Sequence, residues 1–442
     1  MTQFGRPVPF AAWGRIERGA YPMARPRFAG DLPGLFSAKE RPGHVLGVGL
    51  GRSYGDSCLN NGGGLIAMDG LDRLIEIDKP GLVLRAQAGL SIGKALEALT
   101  QRGLTLPVLP GTRFATLGGA VANDVHGKNH ALAGTFGRWV RRIGLVRSDG
   151  RTLSLAPGDA EGLFAATIGG LGLTGLIAWV EVGLNALDSD DVEIEDIPFE
   201  TLADYYALMA DHAGKAHRVA WIDCTHPGRG IFTHGTPARD EPGARHKTPP
   251  GPRFSVPFDG PGFLLNRFSL SLFNKLYRSL KARDGLRRMH YARFHFPLDS
   301  IGGWNRLYGG RGFRQYQCAV PKAVAREAVM EILNAVKKAG DGAFLAVLKE
   351  FGPLESPGLL SFPLEGSTLA LDFRNRGQKT LALLETLDRI VLNAGGRIYP
   401  AKDGRVSAQT FQEMYPQWRA LEALRDPAIR SDFWARATGM AR

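Results

Sequence analysis

Residues 46–57, LGVGLGRSYGDS, run from an apolar strand into a turn punctuated by Gly47, Gly49, Gly51 and Gly55. A glycine-rich turn after a strand commonly sets backbone N–H groups around a phosphate. The spacing excludes the two familiar phosphate loops. A dinucleotide fingerprint needs G-x-G-x-x-G passing from a strand directly into a helix. Here three residues separate Gly51 from Gly55, and DSCLNNGGGLIAMD leads to another strand. A Walker loop needs Gly-Lys-Ser/Thr, which is missing. Two alternatives remain: a plain turn between strands, or a nest of amide donors that wraps a pyrophosphate without a helix.

Three later stretches favour the nest. PVLPGTRFATLGGAVANDVHGKNHALAGTFG (107–137) carries Gly111, Gly118, Gly119, Gly127, Gly134 and Gly137 among small residues such as Thr116, Ala120 and Ala122. Set into it are His126, Lys128, Asn129 and His130. ATIGGLGLTGLI (166–177) repeats the glycine pattern, and IYPAKDGR (398–405) brings Lys402. A bulky cofactor lying along backbone needs small residues and free amides of this kind.

The composition agrees with a large cofactor enzyme. At 442 residues the chain is too long for one ordinary core, so two or three domains are expected. The 57 glycines exceed an average share. Cys58, Cys224 and Cys318 are far apart and odd in number, which fits neither a disulfide framework nor a CxxC metal site and suggests a reducing compartment. MTQFGRPVPFAAWGRIERG lacks a signal-like apolar core, and no apolar run is long enough to span a bilayer. The expected location is the cytoplasm, with peripheral contact at the inner membrane.

Periodicity outlines the elements. Strands are expected at 64–69, 72–78 and 81–89, and a helix at 91–103 with Ser91 as its cap and Ile92, Ala95, Leu96 and Leu99 as its apolar stripe. RRIGLVRSDGRTLSL reads as a hairpin turning at Asp149-Gly150. Residues 225–260 have the Pro, Gly and charge content of a mobile loop. Strands return at 314–321, 342–352 and 367–373, with amphipathic helices at 322–340 and 379–396.

GLGRSYGD, PGTRFATLGGAVANDVHGKNHALAGTFG and TIGGLGLTGLI together resemble the FAD-binding domain, of PCMH type, of the vanillyl-alcohol-oxidase superfamily. Within it HGKNH, PLDSIGGWNRLYG, GFRQYQ, FLAVLKEFGP, YPAKDGR and TFQEMYPQW resemble the decaprenylphosphoryl-β-D-ribose 2-oxidase family, in the same order and over nearly the whole chain. The resemblance implies an α+β fold: a two-part FAD-binding domain over 1–187, an antiparallel-sheet substrate domain flanked by helices over 188–396, and a C-terminal segment, 397–442, returning to the FAD domain. It implies noncovalent FAD and oxidation of the 2-hydroxyl of a polyprenyl-phosphoryl ribose. A separate NAD(P)H-dependent reductase would then complete an epimerisation that supplies arabinose to the cell envelope. An oxidase of a free alditol, aldonolactone or 2-hydroxy acid is the alternative.

The same resemblance assigns residues. Gly47, Gly49, Gly51, Arg52, Ser53, Tyr54, Gly55, Asp56 and Ser57 would hold the pyrophosphate. Gly111, Thr116, Leu117, Gly118, Gly119, Asn123, Asp124, Val125, His126, Ile177 and Tyr399 would touch other parts of FAD. Arg52 stands where many relatives carry a histidine bonded to the flavin, and guanidinium has no lone pair to form such a bond. Lys402 is the candidate beside the substrate hydroxyl, as a base of lowered pKa or as a cation polarising the oxygen. His126 can relay a proton or hold the flavin edge, or simply hydrogen-bond its loop. Lys128 and Lys349 are candidates for phosphate or sugar hydroxyls. Gln315 and Gln317 alternate on one strand and so share a face. Tyr54 would cover the pocket. Three departures fall near the substrate: Ala370 replaces a cysteine, Thr368 an asparagine and His295 a tyrosine.

The net charge is +12, and residues 261–293 alone carry eight Lys or Arg against Asp284. Phe263, Leu264, Leu265, Phe268, Leu270, Leu272, Phe273, Leu276 and Tyr277 interleave with these cations, as a lipid-facing surface would. A nucleic-acid-binding protein is the competing class. The aromatic residues form no stacking module and the glycines lie elsewhere, so no nucleic-acid partner is expected.

Overall fold

The computed structural model describes residues 3–241, 251–261, 267–282, 285–340, 343 and 345–440. Phe263, Leu264, Leu265, Arg283 and Asp284 of the basic segment lie outside them. The fold mixes helix and sheet throughout. Val45–Val48, the strand that opens the glycine loop, pairs in parallel with Gly64–Ala67, which also pairs with Met23–Ala24. A second sheet is antiparallel, in the order Thr152–Leu155, Val140–Val146, Leu176–Gly183, Val83–Gln87, Leu74–Asp78. Its first two strands form the hairpin across Asp149-Gly150. Helix Ile92–Thr100 is capped by Ser91, which accepts from the Lys94 N–H, and it buries Ile92, Ala95, Leu96 and Leu99.

The largest sheet has eight antiparallel strands: Arg287–His290, Asp191–Phe199, Gly230–Pro237, His217–Ile222, Ala346–Phe351, Gly366–Arg374, Phe313–Pro321 and Arg397–Ile398. Alternation divides its faces. Tyr316, Cys318, Leu348, Leu369 and Leu371 pack with helices Ala325–Ala339 and Gln378–Asn393 in one apolar core. The opposite face carries Trp221, Val347, Lys349, Ala370, Asp372, Gln315 and Gln317 in register. The functional cavity lies against this second face.

One expectation is corrected here. Residues 230–237, assigned by composition to the loop 225–260, form a full strand. It pairs over eight residues with Asp191–Phe199 and over six with His217–Ile222. Thr, His and Gly break the apolar alternation of GIFTHGTP, and two neighbours supply the hydrogen bonds that composition does not announce.

The C-terminal segment closes back on the first sheet. The Val45 N–H donates to the Ala428 carbonyl, the Arg430 N–H to that of Val45 and the Asp432 N–H to that of Leu59. Arg436 donates to both oxygens of Asp56 at 2.8 and 3.0 Å and to Asp403 at 3.0 Å. The glycine loop, the Lys402 loop and helix Asp432–Thr438 are thereby joined by one half-buried cation. All three cysteines are free, and burial pushes each thiol up to about 12. Among the described residues no helix is long and apolar enough to cross a membrane, and no metal-binding cluster is present.

Candidate active site

A cavity of about 530 Å³ runs between the glycine loops and the polar face of the eight-stranded sheet. Gly47, Gly49, Gly51, Gly111, Gly118, Gly119, Gly172 and Gly175 line one side. Gly51 has φ +62, which an L side chain adopts only with strain. A methyl on Gly55 would overlap the Asp403 carbonyl, so that glycine lets the two loops touch. The Ser57 hydroxyl and His126 Nδ1 are buried without a partner among the described residues, and both residues line the cavity. Buried polar atoms of this kind normally have one. Volume, backbone-lined wall and orphaned donors fit a dinucleotide cofactor such as FAD.

The sheet supplies the other wall. Gln315, Gln317, Val347, Lys349 and Ala370 line it, joined by Lys402, Tyr54 and Tyr399 from adjoining loops. The Lys402 ammonium lies 3.8 Å from the centre of the Tyr54 ring. Burial pushes Lys402 down to about 7, with Lys349 adding to the fall and Asp372 opposing it. Burial lowers Lys349 to about 8. Asp372 is pushed up to about 7 by burial, against the Gln315 amide, which donates to its Oδ1 at 2.6 Å, and against Lys402. A cation lining the cavity and a carboxyl held behind Gln315 are thus both displaced toward neutrality, an arrangement suited to proton transfer.

His126 is buried against Phe351, Phe362 and Tyr399. Burial first, and Lys349 second, hold it well below the usual imidazole range, so it is neutral near pH 7. The Gln317 amide is 3.1 Å from its Nε2. With that amide nitrogen taken as donor, the histidine proton sits on Nδ1, the atom without a partner. Tyr399 donates from its hydroxyl to the Asn123 carbonyl at 2.9 Å and stacks on Phe362.

The other residues singled out in the sequence separate into two groups. Arg52, Ser53, Thr116, Asn123, Val125 and Ile177 line the cavity. The Arg52 guanidinium lies over Trp13 at 4.2 Å and donates to the Leu50 carbonyl. Thr116 caps helix Leu117–Ala122 by accepting from the Gly119 N–H. Asp56, Leu117, Asp124, Lys128, His295 and Thr368 do not line it. Asp56 holds Arg436. Asp124, at φ +40, accepts from the Gly137 N–H and from the hydroxyls of Ser356 and Ser361. Lys128 donates to the carbonyls of Phe294 and His295 at 2.9 and 3.1 Å, which turns its charge away from the cavity. The His295 ring meets His217 edge-on. Thr368 accepts from Gln317 at 3.3 Å and so positions a lining residue. His130 packs on Phe351 behind the wall.

Sequence patterning passed over several site residues. Asp372 is one, although period two from Ala370 places it on the same face. Asp299 lines the cavity and accepts from Thr112 Oγ1 and the Arg113 N–H, each at 2.8 Å. Trp13 and Phe114 flank Arg52. These four come from four distant stretches, and only the fold unites them.

The geometry agrees with the relatives of the chain. Residues 34–156 match the family described as FAD binding domain. The chain is 35% identical over 409 residues to decaprenylphosphoryl-beta-D-ribose oxidase of Mycolicibacterium smegmatis, covering 88% of each protein. It is 31% identical to an uncharacterized protein in the mprA 5′ region of Streptomyces coelicolor, over 77% of this chain and 96% of that protein. Similarity to the L-gulono-1,4-lactone dehydrogenase of Mycobacterium tuberculosis is 21% over 91% of both. The chain belongs to the decaprenylphosphoryl-β-D-ribose oxidase family and is an FAD-dependent oxidoreductase acting on CH–OH groups.

Proposed function

We propose that the protein oxidises the 2-hydroxyl of a polyprenyl-phosphoryl ribose to the 2-keto sugar. The observation that carries this is the polar sheet wall, with Gln315, Gln317, Lys349 and Lys402 converging on one cavity opposite a glycine-lined cradle. Gly47, Gly49, Gly51, Arg52, Ser53, Gly111, Thr116, Gly118, Gly119, Asn123, Val125, Ile177 and Tyr399 would hold FAD, with Ser57 and His126 Nδ1 as free polar contacts. Arg52 leaves that attachment noncovalent, since it offers no nucleophile. In domain terms, 1–187 would form a two-part FAD-binding unit, 188–396 the substrate unit, and 397–442 the clamp that closes on the first.

FAD, when bound, supplies the acceptor for the hydride from the sugar C–H. The remaining tasks fall to the chain. Gln315 and Gln317 are fixed by Asp372, Thr368 and His126, so their amides can orient ribose hydroxyls without rearranging. Lys402, near neutrality, takes the hydroxyl proton at Nζ. Asp372 favours the resulting ammonium and limits how far burial depresses it. Lys349 stands on the next strand as the cation for the phosphate. His126 stays neutral and would present its ring to the bound cofactor. Ala370 presents a methyl where the family has a thiol, so no step here uses sulfur.

The keto product is the substrate of a reduction, and a separate NAD(P)H-dependent reductase would consume it. Incubation with a short-chain polyprenyl-phosphoryl ribose, followed by chemical reduction of the product, should give both the ribose and arabinose epimers. Recovery of ribose alone would refute oxidation at that carbon. Similarity to the lactone dehydrogenase favours a second possibility, a free aldonolactone as substrate. Turnover of the lactone but not of the lipid-linked sugar would establish it.

A further inference from the structure

Helix Arg267–Lys281 leaves a row of leucines in water. Asn274, Arg278 and Lys281 face the body of the protein. Buried Asn274 donates to Asp223 Oδ1 at 2.7 Å, Lys281 donates to Asp196 at 3.0 Å, and Arg278 pairs with Glu200. Tyr277 packs on Trp221 at 5.0 Å. Three of its leucines face away. Leu272, Leu276 and Leu280, one turn apart, are 59%, 54% and 64% exposed, and Leu286 just beyond the helix is 70% exposed. A helix on a protein surface ordinarily does the reverse. A leucine row of this kind, left in water, marks a surface that meets something apolar.

Position and charge say what it meets. Trp221, beneath the helix, is the register partner of Val347, which lines the cavity. The helix therefore lies on the same sheet face as the cavity and beside it. It contains no Asp or Glu, and exposed Lys275 flanks the leucines. Leucines bordered by an exposed ammonium match an anionic lipid surface, with side chains entering the headgroup layer and the ammonium meeting phosphate. A second copy seated leucine to leucine would bring like charges together with no opposing acid on the helix.

We propose that helix Arg267–Lys281 docks the enzyme onto an anionic bilayer through Leu272, Leu276 and Leu280, beside the cavity that takes the substrate. The inference deepens, and rests on, assignment of a lipid-linked substrate. The sequence pattern suggested that cations and apolar residues share the lipid contact. The structure instead commits Arg278, Lys281 and Arg287 to Glu200 and Asp196 and leaves the leucines outermost.

The test uses the full FAD-loaded chain and a triple variant, Leu272→Ser, Leu276→Ser and Leu280→Ser. Both are sedimented with vesicles of phosphatidylglycerol and phosphatidylcholine. Both are also assayed on a water-soluble short-chain phosphoryl ribose. Because these side chains are exposed, flavin content and Tm should be unchanged. Wild type should sediment with the anionic vesicles, and the variant should bind them on the order of tenfold or more weakly. Short-chain kcat/KM should be equal in both. Equal vesicle binding by the two proteins would overturn the proposal. So would absence of wild-type binding, whether the protein is a monomer or a dimer that the triple variant dissolves. Failure of both proteins on the short-chain sugar would instead strike the substrate assignment, leaving the vesicle result to stand on its own.

Discussion

Arg436→Met removes the single cation between two buried carboxylates. Asp56 and Asp403 are each 5% exposed, and Arg436 bonds to both. In the wild type, Asp403 is held below the usual carboxylate range despite burial, by Arg436 and Arg405, and Arg436 is held above its own. Asp56 sits above its usual range because burial outweighs the Arg436 contact. Methionine fills the space but leaves two like charges facing each other. Breaking a buried pair in this way costs about 3–5 kcal/mol. At about 2.1 cal/mol/K per residue, 442 residues give roughly 0.9 kcal/mol/K, so Tm should fall by about 3–5 °C. Differential scanning fluorimetry of the FAD-loaded protein measures it, and flavin release should accompany unfolding, since both carboxylates anchor loops of the cradle. The sign of the pH effect is fixed. Without Arg436 both aspartates rise, so the folded variant holds protons that the unfolded chain has lost, and its stability falls as pH rises. The deficit should therefore shrink between pH 8 and pH 5. Arg436→Lys should recover only part, because a single ammonium does not reproduce the fork. A Tm within about 1 °C of wild type, or a deficit that grows toward acid, would refute the clamp.

Other substitutions probe the site itself. Lys402→Met should retain FAD while flavin reduction by substrate slows about 10²–10⁴-fold, measured by anaerobic stopped flow; wild-type rates in that variant would remove Lys402 from proton transfer. In the wild type the reduction rate should rise with pH through about 7, as Lys402 loses its proton. Asp372→Asn removes the charge that supports the ammonium, so the rising limb should move to lower pH, and a shift to higher pH would contradict the pairing. Gly49→Ala would bring a methyl within 2.6 Å of the Thr116 hydroxyl, the cap of helix Leu117–Ala122, and should weaken FAD binding. Gly111→Ala meets nothing within 4 Å and should leave stability unchanged, as thermal melting of the flavin-free protein would report.

Much of this was legible in the chain because local rules and tertiary needs coincided. Ser91 with its apolar stripe gave a helix, and Asp149-Gly150 gave a hairpin. The glycine stretches converge on one cavity because each must let backbone approach a ligand or a neighbouring loop. Pattern failed where partners lie far away in sequence. Lys128 is spent on carbonyls 166 and 167 residues away, which no spacing announces. Asp372 becomes a site residue only through Gln315 and Lys402. The strand Gly230–Pro237 hides behind Thr, His and Gly. Helix Arg267–Lys281 shows its leucines and cations plainly, but which face turns inward is decided by Asp196, Asp223 and Glu200, acids contributed by other parts of the chain.

The most direct test of the central claim is the absorbance of the bound flavin on anaerobic mixing with substrate. A polyprenyl-phosphoryl ribose should bleach it in a single turnover, and the 2-deoxy analogue, lacking the hydroxyl to be oxidised, should bind without bleaching. Equal bleaching by both sugars, or none by either, would contradict oxidation at the 2-position.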